Sequence, residues 1–280
     1  MQEKPEFEYA LIDCGDERRV EKFGEIIVDR PCPQATWRRK IRGNSDAFFV
    51  RENPNSEWKK SKNIPETWNV KIGKIQAELR FSKNGQIGIF PEQWENWNWI
   101  EKKVTENADR PLKILNLFAY TGIATLHASA KNTEVCHVDG AKSAITWAKK
   151  NAEISGFSDA KIRWICDDVM KFLAREIRRG KKYDGIILDP PAFGRGAKKD
   201  WKIERDLPEL MKMIAELLSQ NPIFVVLTCH APEHFSVKNL ADFLENLPQF
   251  QEKKSEKLVL QIPSKNGNPL LSTFGARICF

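Results

Sequence analysis

No apolar run in this chain approaches the roughly 18 residues that a membrane-crossing helix needs, so a helical membrane protein is not expected. The first residues, Gln2-Glu3-Lys4-Pro5-Glu6, are polar and acidic and read as neither a secretory signal nor a transit peptide. The expected compartment is therefore the cytoplasm. Cysteine is sparse: six residues at 14, 32, 136, 166, 229 and 279, with no Cys-x-x-Cys pair and no zinc-ligand spacing. A disulfide framework is not expected in a reducing compartment. Histidine is scarcer still, with four residues and no His-Glu-x-x-His pattern, so no metal is expected. A glycine-rich Gly-x-Gly-x-x-Gly loop is also missing, which argues against a nicotinamide dinucleotide site.

What is present fits a globular protein of 280 residues, 41% hydrophobic and 30% charged. That length allows a Rossmann-sized domain plus a small companion. The net charge of +7 is uneven, with +1 over residues 1–100 and +6 over residues 101–280. A basic excess suggests a polyanionic partner such as RNA, although solubility alone also accounts for it. The sequence says nothing of oligomeric state.

The first 90 residues read as a small β-rich domain. One candidate hairpin runs from Tyr9 through a Cys14-Gly15-Asp16 turn into residues 19–28. A second joins residues 75–81 to 86–90 across Ser82-Lys83-Asn84-Gly85, because an Asn-Gly pair between alternating runs favours a tight turn. Residues 53–67 are polar, contain two prolines, and read as a loop. Residues 91–110 form a bridging helix and linker, with Trp94, Trp97, Ile100 and Val104 at helical spacing. From residue 111 to 280 strands and helices alternate. Strands are expected at 112–118, 134–138, 161–166, 183–188 and 223–228, with helices at 123–130, 141–155, 169–179 and 207–218. This alternation implies an α/β Rossmann-like domain with a mainly parallel sheet. Residues 257–262 and 270–279, around Lys265-Asn266-Gly267, add an antiparallel terminal hairpin.

In such a sheet, ligands bind beyond the carboxyl ends of the strands. After the first strand comes Phe118-Ala119-Tyr120-Thr121-Gly122, whose single glycine suits a less anionic ligand than a pyrophosphate. After the second comes Asp139, placed to accept hydrogen bonds from ribose hydroxyls. After the third comes Asp167-Asp168; one could accept from an adenine amino group, or both could simply cap the next helix. An adenosine held by carboxylates with no phosphate cradle points to S-adenosylmethionine. After the fourth strand comes Asp189-Pro190-Pro191-Ala192-Phe193. The two prolines lock the backbone so that carbonyls face the cleft, and Phe193 can stack on a flat base. After the fifth, Thr228-Cys229-His230 offers Cys229 as a candidate nucleophile, a buried passive thiol being the alternative. Arg195, in a basic loop with Lys198, Lys199 and Lys202, is a candidate phosphate contact. A second basic patch is Trp37-Arg38-Arg39-Lys40 with Arg42. The cluster Arg175, Arg178, Arg179, Lys181 and Lys182 lies at the opposite sheet edge and reads as a solvated face.

The run Leu115-Asn116-Leu117-Phe118-Ala119-Tyr120-Thr121-Gly122 resembles the first motif of bacterial 23S ribosomal RNA methyltransferases of the cytosine-5 and related types. Asp139, Asp167-Asp168-Val169 and Asp189-Pro190-Pro191-Ala192-Phe193 follow in that family's order, so the resemblance covers about residues 80–235. Gly88-Ile89-Phe90-Pro91-Glu92-Gln93 is similar to an upstream segment of these enzymes and implies that Gln93 lies near the cofactor. The resemblance further implies that Phe118, Tyr120, Thr121 and Gly122 line the methionine end of S-adenosylmethionine. Asp139 would hold the ribose, Asp168 the adenine, and Asp189 with Pro190 the edge of the cleft near the methyl group. Pro191, Phe193 and Arg195 would meet the substrate. Cys229 matches the segment carrying the nucleophile in cytosine-5 enzymes. There are departures: His230 replaces a serine, Ala192 replaces a frequent lysine, and the Phe-Gly-Arg-Gly continuation resembles a branch in which the cysteine is not always present. The expected function is methyl transfer from S-adenosylmethionine to RNA, ribosomal by resemblance, at cytosine carbon 5 through Cys229. The alternatives are methylation of an exocyclic amine or protein side chain without covalent catalysis, and a non-catalytic RNA-binding protein.

Overall fold

The computed structural model describes residues 6–41, 44–52, 55–61, 63–194, 200–230, 236–248 and 255–280. The chain divides into two compact units, and the division does not follow chain order. The first comprises Met1–Glu92, Glu153–Ser155 and Gln261–Ser272; the second comprises Gln93–Ala152, Gly156–Leu260 and Thr273–Phe280.

The first unit is a five-stranded sheet in simple order: β1 (Tyr9–Gly15), β2 (Arg18–Phe23), β3 (Ile26–Pro31), β4 (Ala47–Val50) and β5 (Glu57–Lys60). A separate hairpin pairs β6 (Thr67–Ile72) with β7 (Ile75–Arg80). Residues 19–28 are thus two strands, folded back at Gly24, which has φ +60°. The expected hairpin 75–90 also changes. Its Ser82–Gly85 turn forms, with Ser82 N–H donating to Gln86 O at 3.1 Å and Arg80 N–H to Ile87 O at 3.1 Å. Residues 86–90 nevertheless form no strand, and β7 takes β6 as its partner across Gly73. Gly73 supplies the positive φ (+58°) of a two-residue turn that Lys74 completes. Residues 53–67, expected as a loop, contain β5. Charge is buried in this unit: Glu21 is fully buried and receives Arg30 Nε at 2.7 Å and the Tyr9 hydroxyl at 3.0 Å. Trp37 and Arg39 of the expected basic patch are likewise internal ties, to Cys14 O (2.7 Å) and Asp29 (2.9 Å); Arg42 lies outside the described residues.

In the second unit, α1 (Trp94–Glu106) precedes a regular alternation. It runs β8 (Leu112–Leu117), α2 (Ile123–His127), β9 (Thr133–Asp139), α3 (Lys142–Ile154), β10 (Ile162–Cys166), α4 (Val169–Arg178) and β11 (Gly185–Leu188). A two-residue ribbon, β12 (Phe193–Gly194) with β13 (Trp201–Lys202), leads into α5 (Ile203–Leu217), β14 (Phe224–Cys229), α6 (Val237–Glu245), β15 (Glu256–Ile262) and β16 (Leu270–Cys279). The sheet order is β10-β9-β8-β11-β14-β16-β15, parallel from β10 to β14, with β16 antiparallel to β14. Strands β11 and β14 are buried along their whole length, as expected where helices cover both faces of a sheet. The strand order reverses beside β8, which makes the carboxyl ends of β8, β9 and β11 the natural ligand edge. Helix α6 is not evident in the sequence pattern; Ser236 and Asn239 close a capping box at its start. Among the described residues no helix is long and apolar enough to cross a membrane.

Candidate active site

Three residues of the β8–α2 loop adopt the left-handed backbone conformation: Phe118 (φ +55°), Tyr120 (φ +48°) and Gly122 (φ +83°). The two aromatic residues store strain there, which persists only where the surroundings over-determine it. Those surroundings are identifiable. Tyr120 N–H donates to Asp139 Oδ2 at 2.8 Å, Asn151 Nδ2 donates to Thr121 O at 2.9 Å, and the Tyr120 and Trp147 rings lie 6.0 Å apart. A Cβ on Gly122 would come within 3.0 Å of Ala148 Cβ, so the loop also requires glycine for packing.

Beneath the loop runs a buried polar chain. Asn116 Nδ2 donates to Thr125 Oγ1 (2.9 Å), and Thr125 Oγ1 lies 2.8 Å from His137 Nδ1. With Asn116 donating to it, the Thr125 hydroxyl can give its own proton to Nδ1 of a neutral imidazole. Burial pushes the His137 imidazole down to about 3, consistent with that neutral form.

Asp139 is half-buried, and its two oxygens accept from Tyr120 N–H and Ala141 N–H, each at 2.8 Å. Burial raises its carboxyl above the usual value, against the lowering effect of those two amides. Each oxygen retains a lone pair for a further donor. Asp168 caps α4 by accepting from Lys171 N–H at 3.0 Å, while Asp167 pairs with Arg175 and accepts from Asp168 N–H at 2.8 Å. Asp189 accepts from the Thr228 hydroxyl at 2.7 Å; Thr228 in turn accepts from Gln93 Nε2 at 3.2 Å, and Asn96 Nδ2 donates to Gln93 Oε1 at 2.9 Å. Gln93 is therefore linked to Asp189 through one hydroxyl. Pro190 is buried, whereas Pro191 is exposed and Phe193 is 51% exposed.

Trp201 joins the candidate site through its contacts, and the sequence pattern does not reveal it. The β12–β13 ribbon sets its ring 5.2 Å from that of Phe118, and its indole N–H donates to Pro191 O at 2.7 Å. One of the two proline carbonyls expected to face the cleft is therefore already engaged. Cys229 is 1% exposed and belongs to the apolar cluster containing Leu227, Ala276 and Ile278, on the strand face opposite Thr228. His230 is exposed, with Nδ1 3.3 Å from Thr273 Oγ1. Arg195 lies outside the described residues.

The donor set suits S-adenosylmethionine. Carboxylates stand at the ends of β9, β10 and β11, a tight glycine-dependent loop follows β8, and an anionic rim favours a cationic sulfonium. A family model described as S-adenosylmethionine-dependent methyltransferase matches residues 33–255. The ribosomal RNA large subunit methyltransferase K of Neisseria meningitidis serogroup B is 30% identical, over 89% of this chain and 75% of that protein. The ribosomal RNA large subunit methyltransferase K/L of Shewanella frigidimarina is 32% identical over 44% of this chain, and the match spans only 17% of that relative's length. The crystal structure of a methyltransferase from Agrobacterium tumefaciens, dependent on the same cofactor, superposes with a TM-score of 0.88 and 36% identity, covering 97% of this chain and 90% of the other.

Proposed function

This chain belongs to the S-adenosylmethionine-dependent methyltransferase family, and we propose that it methylates a base of ribosomal RNA at an exocyclic nitrogen, without a covalent enzyme intermediate. The RNA substrate is supported by the names of its relatives and by the basic excess over residues 101–280. The nitrogen acceptor is supported by a single observation: Cys229, the thiol a carbon-5 route requires, is 1% exposed within an apolar cluster. A nucleophilic cysteine needs access and an electropositive setting. The carbon-5 route keeps one point in its favour, since Cys229 directly follows Thr228, the partner of Asp189.

The residues that would hold the cofactor are Phe118, Tyr120, Thr121 and Gly122 at the methionine end, Asp139 at the ribose and Asp168 at the adenine. Gln93 and Asp189 would sit beside the methyl group. When bound, S-adenosylmethionine supplies a methyl group on cationic sulfur, which takes a lone pair from the acceptor. An amine on a base ring has its lone pair delocalised. In this reading the Asp189 carboxylate and the Pro190 carbonyl accept hydrogen bonds from the amine and draw its lone pair out of conjugation with the ring, and the proton that the methylated nitrogen sheds passes by way of Asp189 to solvent. Thr228 and Gln93 fix the Asp189 rotamer, and orientation of this kind contributes much of a methyl-transfer rate. Phe193 stacks on the extruded base, as exposed aromatics do on unpaired bases, and Arg195 meets a flanking phosphate.

The test is methyl incorporation from radiolabelled S-adenosylmethionine into purified ribosomal RNA, followed by mass spectrometry of the nucleosides. Cys229→Ala retains activity, and Asp189→Ala loses about a hundredfold or more. Loss of activity in Cys229→Ala with intact S-adenosylhomocysteine binding would move the reaction to carbon 5. An active cofactor site with no incorporation into any ribosomal RNA sinks the RNA reading.

A further inference from the structure

Opposite the ligand edge, the second unit contains a pocket of about 460 Å³ at the amino ends of β8, β9 and β10, closed by the residues that lead into β11. Its size falls within the usual range for ligand sites. Five cationic side chains line it: Lys113, Lys161, Arg163, Lys181 and Lys182, against Glu134 and Glu176. The two carboxylates do not balance them. Glu176 is fully buried beneath the pocket and already receives the Tyr183 hydroxyl (2.7 Å), Arg163 Nη1 (3.2 Å) and Arg179 Nη1 (3.0 Å). Burial pushes that carboxyl up, but these hydrogen bonds outweigh it and hold it below the usual value, so it stays ionised. It thereby fixes Arg163, whose guanidinium also lies 5.6 Å from the centroid of the Phe172 ring. A guanidinium held in this way keeps free N–H groups in a rigid fork, the geometry that suits a phosphate. Lys182 is anchored by donating to Glu216 O at 2.5 Å. Lys161 and Lys181 are exposed and line the pocket, so their side chains are able to reach a ligand.

We propose that this pocket is a phosphate-binding site that grips the backbone of the RNA substrate on the side of the catalytic unit remote from methyl transfer. Strands of five to seven residues separate the two edges by about 17–23 Å. A folded ribosomal RNA segment reaches both, whereas a free nucleotide reaches one. The pocket would set the register of the substrate while Phe193 receives the base, since phosphate contacts position a nucleic acid and carry little sequence information. This inference rests on the RNA reading of the function.

The test is a salt titration of binding to a fluorescein-labelled fragment of large-subunit ribosomal RNA, read by anisotropy, with S-adenosylhomocysteine affinity measured on the same samples. Lys161→Ala/Lys181→Ala is expected to weaken RNA binding roughly fivefold for each phosphate no longer neutralised at about 0.1 M salt, and to reduce the slope of log affinity against log salt by about 0.7–0.9 per phosphate. Cofactor-product affinity stays unchanged, and Lys161→Arg/Lys181→Arg restores RNA affinity, separating charge from damage to the fold. If the alanine variant binds RNA with wild-type affinity and slope, the pocket proposal is overturned and the RNA reading stands. If the wild-type protein binds no ribosomal RNA while binding S-adenosylhomocysteine, both fall together.

Discussion

The His137 imidazole, neutral and buried beneath the β8–α2 loop, carries a pH dependence that can be read directly. It titrates at about 3 in the folded chain and near 6.5 when unfolded. Between those values the unfolded state binds the extra proton, so stability rises with pH. The contribution is complete above about 6.5 and is lost as pH falls toward 3, at up to about 1.4 kcal/mol per pH unit. Urea unfolding at a series of pH values between 7.5 and 4.5 should show this slope, and His137→Gln should flatten it; an equal slope in the variant would assign the effect elsewhere. The sequence exposes the site unevenly at this scale. Asp139, Asp168 and Asp189 are legible as candidates because each stands at, or one or two residues past, the carboxyl end of a strand. The chains Asn116–Thr125–His137 and Gln93–Thr228–Asp189 are not, since Gln93 and Thr228 stand 135 residues apart and no local pattern pairs them. Trp201 is hidden for the same reason: only the β12–β13 ribbon brings it to Phe118.

At the level of the element, the β8–α2 turn shows how one residue can govern a loop. Gly122 combines a left-handed backbone with a position where Cβ would press on α3, at 3.0 Å from Ala148 Cβ. Gly122→Ala should therefore cost about 1–3 kcal/mol of stability through strain. The larger loss should be in S-adenosylhomocysteine affinity measured by calorimetry, because the turn carries Tyr120 and Thr121. A variant with unchanged affinity would remove the loop from the cofactor site. The strands β8, β9, β10, β11 and β14 are readable as apolar runs ending in carboxylates or turn residues. Strands β4, β5 and β6 are not. The exposed faces of β5 and β6 are polar and charged, as in Glu57–Lys60, and β4 is a four-residue apolar stretch with Phe48 exposed, so only pairing with neighbours makes them strands. The Asn84-Gly85 signal is sound as a turn but wrong as a hairpin, because Pro91 and a short 3₁₀ turn at Pro91–Gln93 soon take the returning segment out of extended conformation.

For the whole molecule, the alternation of strands and helices predicts the Rossmann-like unit, but chain order does not describe how the first unit is built. Residues 261–272 belong to it, and they do so through specific contacts with β1. Lys265 N–H donates to Leu11 O (2.9 Å), Asn266 Nδ2 donates to Ile12 O (3.0 Å), and the Cys14 thiol lies 3.4 Å from Asn268 O. The Lys265-Asn266-Gly267 turn, read from sequence as a plain hairpin turn, is thus a seat for β1, and a Cβ on Gly267 would collide with the Asp13 carboxylate. The apolar counterpart is a cluster in which Ile262 and Leu270 pack with Leu11, Cys14, Cys32 and Ala35. Leu270 is fully buried there. Truncating it to alanine removes transfer energy and leaves a cavity, which together cost about 2–5 kcal/mol. Leu270→Ala should therefore lower the urea midpoint and, by hydrogen exchange, loosen the amides of β1, more than 250 residues earlier in the chain. A cost below about 1 kcal/mol with β1 protection unchanged would mean that this late segment is only draped on the first unit. The expected loss would show that the small β-rich unit cannot complete its core until synthesis has passed the catalytic fold.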